Sequence, residues 1–142
     1  VAVVYFDSSA LVKLLVEEPG SATAARLWDG CDAAVSSRLA YPEVRAALAA
    51  AGRNHDMEED DLASCRQAWE GFWMELRPVE LTARVAKAAG VLAERRDLRG
   101  ADAVHLASAL EVGIPDLVMV VWDRRLHAGA VAERVSVAPR DL

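Results

Sequence analysis

Apolar positions along the chain fall into two patterns. Uninterrupted runs occur at residues 2–6 (AVVYF) and 117–122 (LVMVVW). They are rich in β-branched and aromatic side chains and too short for helices, so each predicts a buried strand. Elsewhere apolar residues recur every three to four positions, which predicts helices. One covers residues 9–16, with Leu11, Leu14 and Leu15 on one side, and stops at Glu17-Glu18-Pro19-Gly20. A second covers 21–28, capped by Ser21. A long Ala-rich helix covers 37–51, with Pro42 in its first turn and a stop at Gly52. Others cover 58–72 (Leu62, Cys65, Trp69 and Phe72 in a stripe), 81–95 and 101–112, and a short one starts at Arg124. Weaker strand signals lie at 33–36, 74–77 and 134–137. Buried strands separated by helices predict an α/β architecture, a parallel sheet covered on both faces. In such sheets ligands bind beyond the C-terminal ends of the strands, so residues just after strands are the place to look for chemistry.

Composition narrows the class. With 54% apolar and 27% charged residues, the chain is globular rather than disordered, and its length predicts a single domain over 1–142. No apolar run approaches the ~20 residues of a membrane span. No signal-peptide pattern is visible, so the expected location is cytoplasmic. Cys31 and Cys65 match no metal or redox spacing and read as free thiols of a reducing compartment. A net charge of −6 argues against nucleic-acid binding, unless several acids converge on a cation. Setting four acids aside leaves acids and bases nearly balanced.

Four acids invite that reading. Asp7 follows the first strand directly and Asp123 follows the second, so both are expected at one edge of the sheet. Asp102 opens the helix Asp-Ala-Val-His-Leu-Ala, and Glu43 sits one turn into the long helix. If those helix ends face the same edge, four carboxylates share a cleft. Each has an ordinary structural alternative: the aspartates as N-caps, Glu43 as a solvated acid on an amphipathic helix. Capping, however, does not require two of them to follow parallel buried strands. Two carboxylates about 4 Å apart repel by about 4 kcal/mol at an effective dielectric of 20, so such a cluster calls for a cation. Oxygen-only ligands favour Mg²⁺ or Mn²⁺ over zinc, and a carboxylate-held ion of that kind suits phosphodiester chemistry.

The same residues carry a resemblance. Tyr5-Phe6-Asp7-Ser8-Ser9-Ala10-Leu11-Val12-Lys13-Leu14 resembles the first motif of the PIN-domain ribonucleases, in particular the VapC-type toxins of toxin–antitoxin modules. Glu43, in Ser37-Arg38-Leu39-Ala40-Tyr41-Pro42-Glu43-Val44, is similar to the second acid of the family. Asp102-Ala103-Val104-His105-Leu106-Ala107 resembles the third motif, and Asp123, in Val121-Trp122-Asp123-Arg124-Arg125-Leu126, the fourth. The motifs span nearly the whole chain in the family's order. One position departs: Val121 stands where many members carry Thr or Ser, which puts a second metal site in doubt. The resemblance implies a three-layer α/β/α sandwich with a central parallel sheet. It implies a Mg²⁺- or Mn²⁺-dependent endoribonuclease, the toxin of a type II module, with an RNA substrate, a cognate antitoxin and a homodimeric state. It makes Asp7 and Asp102 the principal metal ligands. Glu43 becomes a ligand or the group orienting the attacking water, and Asp123 completes the shell. Cleavage by metal-activated water would leave a 5′-phosphate and a 3′-hydroxyl.

Other candidates carry less. Arg99 and Arg124 are expected phosphate contacts, with Arg124 nearer the cleft. Arg95 and Arg96 suit a helix end. Ser8 and Ser9 read as helix-start hydroxyls, Lys13 as surface, and His105 as a partly buried, satisfied histidine outside the catalytic set. Trp69 reads as core and Trp73 as part of an apolar groove. Two rival functions remain. One is a PIN-like module that binds RNA or protein without cutting, disfavoured because all four acids are present. The other is a Mg²⁺-dependent aspartyl-phosphate phosphatase, disfavoured because Ser9 stands where a second Asp is needed.

Overall fold

The computed structural model describes residues 3–142. In chain order these form β1 (Val3–Phe6), α1 (Ser8–Val12), α2 (Ser21–Gly30), β2 (Ala33–Ser37), α3 (Ala40–Arg53), α4 (Glu59–Glu75), β3 (Arg77–Val79), α5 (Ala83–Arg96), α6 (Gly100–Val112), β4 (Val118–Val120), α7 (Arg124–Ala132) and β5 (Ser136–Ala138). The sheet order is β3-β2-β1-β4-β5, and every pairing is parallel. The chain steps outward from β1 to β3, then returns to lay β4 on the other side of β1. The direction of winding therefore reverses between β1 and β4, where parallel sheets open a crevice.

The expected three-layer α/β/α sandwich is present. Successive side chains of β1 enter opposite cores. Tyr5 packs with Val35, Leu106 and Met119 in the core closed by α5, α6 and α7. Val4 and Phe6 pack with Leu11, Val44 and Trp69 in the core closed by α1, α3 and α4. A strand buried on both faces has no polar alternation, hence its continuous apolar run.

Several boundaries differ from expectation. Position 2, expected in the first strand, lies outside the described residues. The helix expected over 9–16 ends at Val12; the chain then tightens, with Leu14 N bonded to Leu11 O and Leu15 N to Val12 O. Lys13, expected at the surface, folds back instead. Its side chain is 12% exposed, pairs with Glu18 at 3.1 Å and lies over the Trp122 ring. Ser21 is not the cap of α2: Gly20 is, at φ 95°, while Ser21 Oγ donates to Val16 O. The long helix starts late because Ser37 completes β2 and accepts a hydrogen bond from Leu39 N. It also runs past Gly52, where a Cβ would meet Leu62 Cδ2 at 2.6 Å; that glycine permits the close approach of α4 rather than ending α3. α4 continues through Glu75, so the strand expected at 74–77 begins only at Arg77. Of the apolar run 117–122, only Val118–Val120 form strand.

Candidate active site

Asp7 and Asp123 both cap helices. The Asp7 carboxylate accepts from Ala10 N at 2.9 Å and from Ser9 Oγ at 3.1 Å. Asp123 accepts from Leu126 N at 2.9 Å. The capping alternative is thus correct for these two, and it is also what fixes their carboxylates at the crevice. Asp102 is not a cap. Arg99 holds the N-cap position of α6 and Asp102 lies in the first turn, where an acid is favoured by the helix dipole. Glu43 occupies the same kind of position in α3. Its Oε1 accepts from Ser8 Oγ at 2.5 Å and lies 2.7 Å from His105 Nε2.

A cleft of about 380 Å³ joins these groups, lined by Asp7, Ser8, Ser9, Glu43, Arg99, Asp102, His105 and Asp123 among others. All four sequence-derived acids line it. Arg99 does too, 3.1 Å from Asp102 Oδ2 and 3.5 Å from Asp123 Oδ2. Arg124, expected nearer the cleft, is exposed at the start of α7 and does not line it. Arg95 and Arg96 pair with Glu133. Val121 has a hydrocarbon side chain and offers the acids no hydroxyl; Asp123 is oriented by Leu126 N and Arg99 instead.

His105 is the cleft residue that the sequence reading left aside. It is buried, as expected, but its partners are Tyr5 Oη, Glu43 and Ser8. The three-residue spacing from Asp102, which puts both on adjoining faces of one helical turn, was the available signal. Trp69 is fully buried, and Trp73 lines a separate cleft with Tyr41, Pro42 and Leu81.

The electrostatics follow from burial. Asp7 is 4% exposed, and burial pushes its acid from an ordinary value up to about 6, against the opposing pull of the Ala10 N–H and the Ser9 hydroxyl. Burial also raises Glu43, but hydrogen bonds from His105 and Ser8 outweigh it and hold that carboxyl below its ordinary value. The cleft therefore holds negative charge at a cost that a cation would relieve. No three His, Cys, Asp or Glu side chains among the described residues form a ready-made metal cage. Mg²⁺ does not need one, because it keeps several waters and is bound through one or two carboxylates. An all-oxygen donor set around a buried, destabilised carboxylate fits such an ion.

A doubly wound parallel sheet with a carboxylate-lined cleft at its switch point defines the class: an α/β protein with an acidic site at the C-terminal edge of its strands. Residues 4–141 match the family model of the PIN domain. Ribonuclease VapC49 of Mycobacterium tuberculosis is 67% identical over 139 residues, covering 98% of this chain and 96% of that protein. The chain therefore belongs to the PIN-domain family, among its VapC ribonucleases. That membership sets the phosphatase alternative aside. Solved structures share the fold. A toxin–antitoxin complex from Klebsiella pneumoniae matches at a TM-score of 0.63 and 18% identity, covering 97% of this chain and 98% of that one. VapC20 of Mycobacterium tuberculosis, described as a sarcin–ricin-loop-cleaving toxin, matches at 0.66 and 19%, covering 88% and 93%.

Proposed function

We propose that this chain is an endoribonuclease, the toxin of a type II toxin–antitoxin module, acting in the cytoplasm as a single nuclease domain over residues 1–142. The observation that carries the reading is the convergence of Asp7, Glu43, Asp102 and Asp123 on one cleft, in a chain 67% identical to a ribonuclease. The described helices include none long and apolar enough to cross a membrane. A cognate antitoxin is supported by fold neighbours that are toxin–antitoxin complexes. The homodimer belongs to the same reading, and exposed Leu110, Ile114 and Val131 offer apolar surface for it.

Asp7 and Asp102 would hold Mg²⁺ or Mn²⁺, with Glu43 and Asp123 as further or water-mediated ligands. When bound, the ion supplies a Lewis acid that neutralises phosphate charge and acidifies water. Glu43, kept ionised by its hydrogen bonds, orients the attacking water and accepts its proton. Attack in line on phosphorus breaks the P–O3′ bond, leaving a 5′-phosphate on one fragment and a 3′-hydroxyl on the other. Arg99, paired in the cleft only through exposed contacts, is placed to take the phosphate of the RNA strand.

Product chemistry tests this. RNA incubated with the purified protein and Mg²⁺ should yield fragments that a 5′-phosphate-dependent exonuclease degrades. Fragments ending in a 2′,3′-cyclic phosphate would contradict the mechanism.

A further inference from the structure

Glu43 receives two contacts on one oxygen: Ser8 Oγ and His105 Nε2 both meet Oε1. No hydrogen bond to Oε2 is formed among the described residues. His105 is 2% exposed, and its other ring nitrogen, Nδ1, lies 2.8 Å from the hydroxyl of fully buried Tyr5. The two rings meet edge to face, 5.9 Å between centroids.

Hydrogen accounting then fixes the imidazole. The Ser36 and Ser108 hydroxyls also lie near the Tyr5 hydroxyl, but Ser36 Oγ donates to Phe6 O and Ser108 Oγ makes no hydrogen bond among the described residues; Nδ1 is the hydrogen-bond partner of the buried Tyr5 hydroxyl, and buried hydroxyls as a rule donate their hydrogen. Nδ1 therefore offers its lone pair. At the other nitrogen, Ser8 Oγ lies 3.1 Å away but spends its own hydrogen on Glu43. Nε2 thus faces two acceptor oxygens and must carry the ring hydrogen.

We propose that Tyr5 Oη–H to His105 Nδ1, and His105 Nε2–H to Glu43 Oε1, form a fixed donor chain that makes His105 a positioning residue for Glu43 and leaves Oε2 as its working oxygen. The chain joins β1, α6 and α3, so the sheet interior sets the orientation of a carboxylate at the cleft. It deepens the nuclease reading and rests on it for the role of Glu43, though not for the hydrogen positions.

The test begins with ¹⁵N-labelled, metal-free protein. Long-range ¹H–¹⁵N correlation should show His105 as the Nε2–H tautomer with Nδ1 unprotonated. Tyr5→Phe, which removes only the hydroxyl, should leave the hydrogen on Nε2, held by Glu43, but shift the ¹⁵N resonance of Nδ1, which loses its hydrogen-bond donor. It should also slow RNA cleavage about 3- to 10-fold, with KM unchanged. His105→Leu should cost about 10- to 100-fold, and His105→Gln, which keeps an N–H donor, should recover much of that loss. An Nδ1–H tautomer or a doubly protonated ring in the wild type overturns the proposal. So does equal activity of the Gln and Leu variants, or a Tyr5→Phe protein whose Nδ1 resonance is unmoved. A wild type with the expected tautomer but no cleavage of any RNA supports the donor chain and overturns the nuclease reading.

Discussion

Asp7 shows how one side chain can stabilise and strain the fold at once. Its capping bonds fix the start of α1, while its burial disfavours the ionised form and lifts the acid to about 6. A folded-state value above the unfolded one gives a contribution to stability that is full below about pH 4 and lost as pH rises through about 6. Asn caps as well as Asp and carries no charge. In metal-free protein, Asp7→Asn should therefore raise stability at pH 7 by on the order of 2–3 kcal/mol, with the advantage disappearing below about pH 4. Urea denaturation at the two pH values measures this; a destabilised variant at pH 7 would contradict it. Asp7 and Asp123 were legible in the sequence because a residue that follows a buried strand must emerge at the sheet edge, whereas Glu43 and Asp102, in first turns of helices, were picked out by their motifs. His105 was not, because burial among apolar neighbours looks the same whether or not the ring faces a carboxylate.

The elements that position the cleft were readable where burial was complete. β1 and β4 announce themselves by apolar runs, and α6 by its Gly113 stop at φ 70°. The edge strands β3 and β5 were misplaced or blurred, since three half-exposed residues leave no pattern and Pro78 is tolerated only at an edge. Gly52 was misread because a glycine needed for helix–helix approach looks like a glycine that ends a helix. Gly20 is a different case. It combines φ 95° with the Trp122 ring, which an added Cβ would meet at 2.8 Å, and Trp122 precedes the Asp123 cap. Gly20→Ala should destabilise the protein by more than ~1 kcal/mol and alter the near-ultraviolet circular dichroism of its tryptophans. A variant with wild-type stability and spectrum would show that this loop does not brace the end of β4.

For the whole molecule, the difficulty is charge. A protein of net charge −6 has to admit a polyanion, and Arg99 is the only Lys or Arg lining the cleft among the described residues. The proposed cation would resolve this: without it the clustered acids would repel RNA, and with it the same acids would assemble the site. The decisive measurement is end-labelled cleavage of total cellular RNA by purified, antitoxin-free protein, with Mg²⁺, with Mn²⁺ and with chelator, beside Asp7→Asn. The account predicts discrete fragments that need the metal, vanish with chelator and are absent for the folded variant. Fragments that persist in chelator, or equally with Asp7→Asn, would contradict a carboxylate-held cation as the centre of the chemistry.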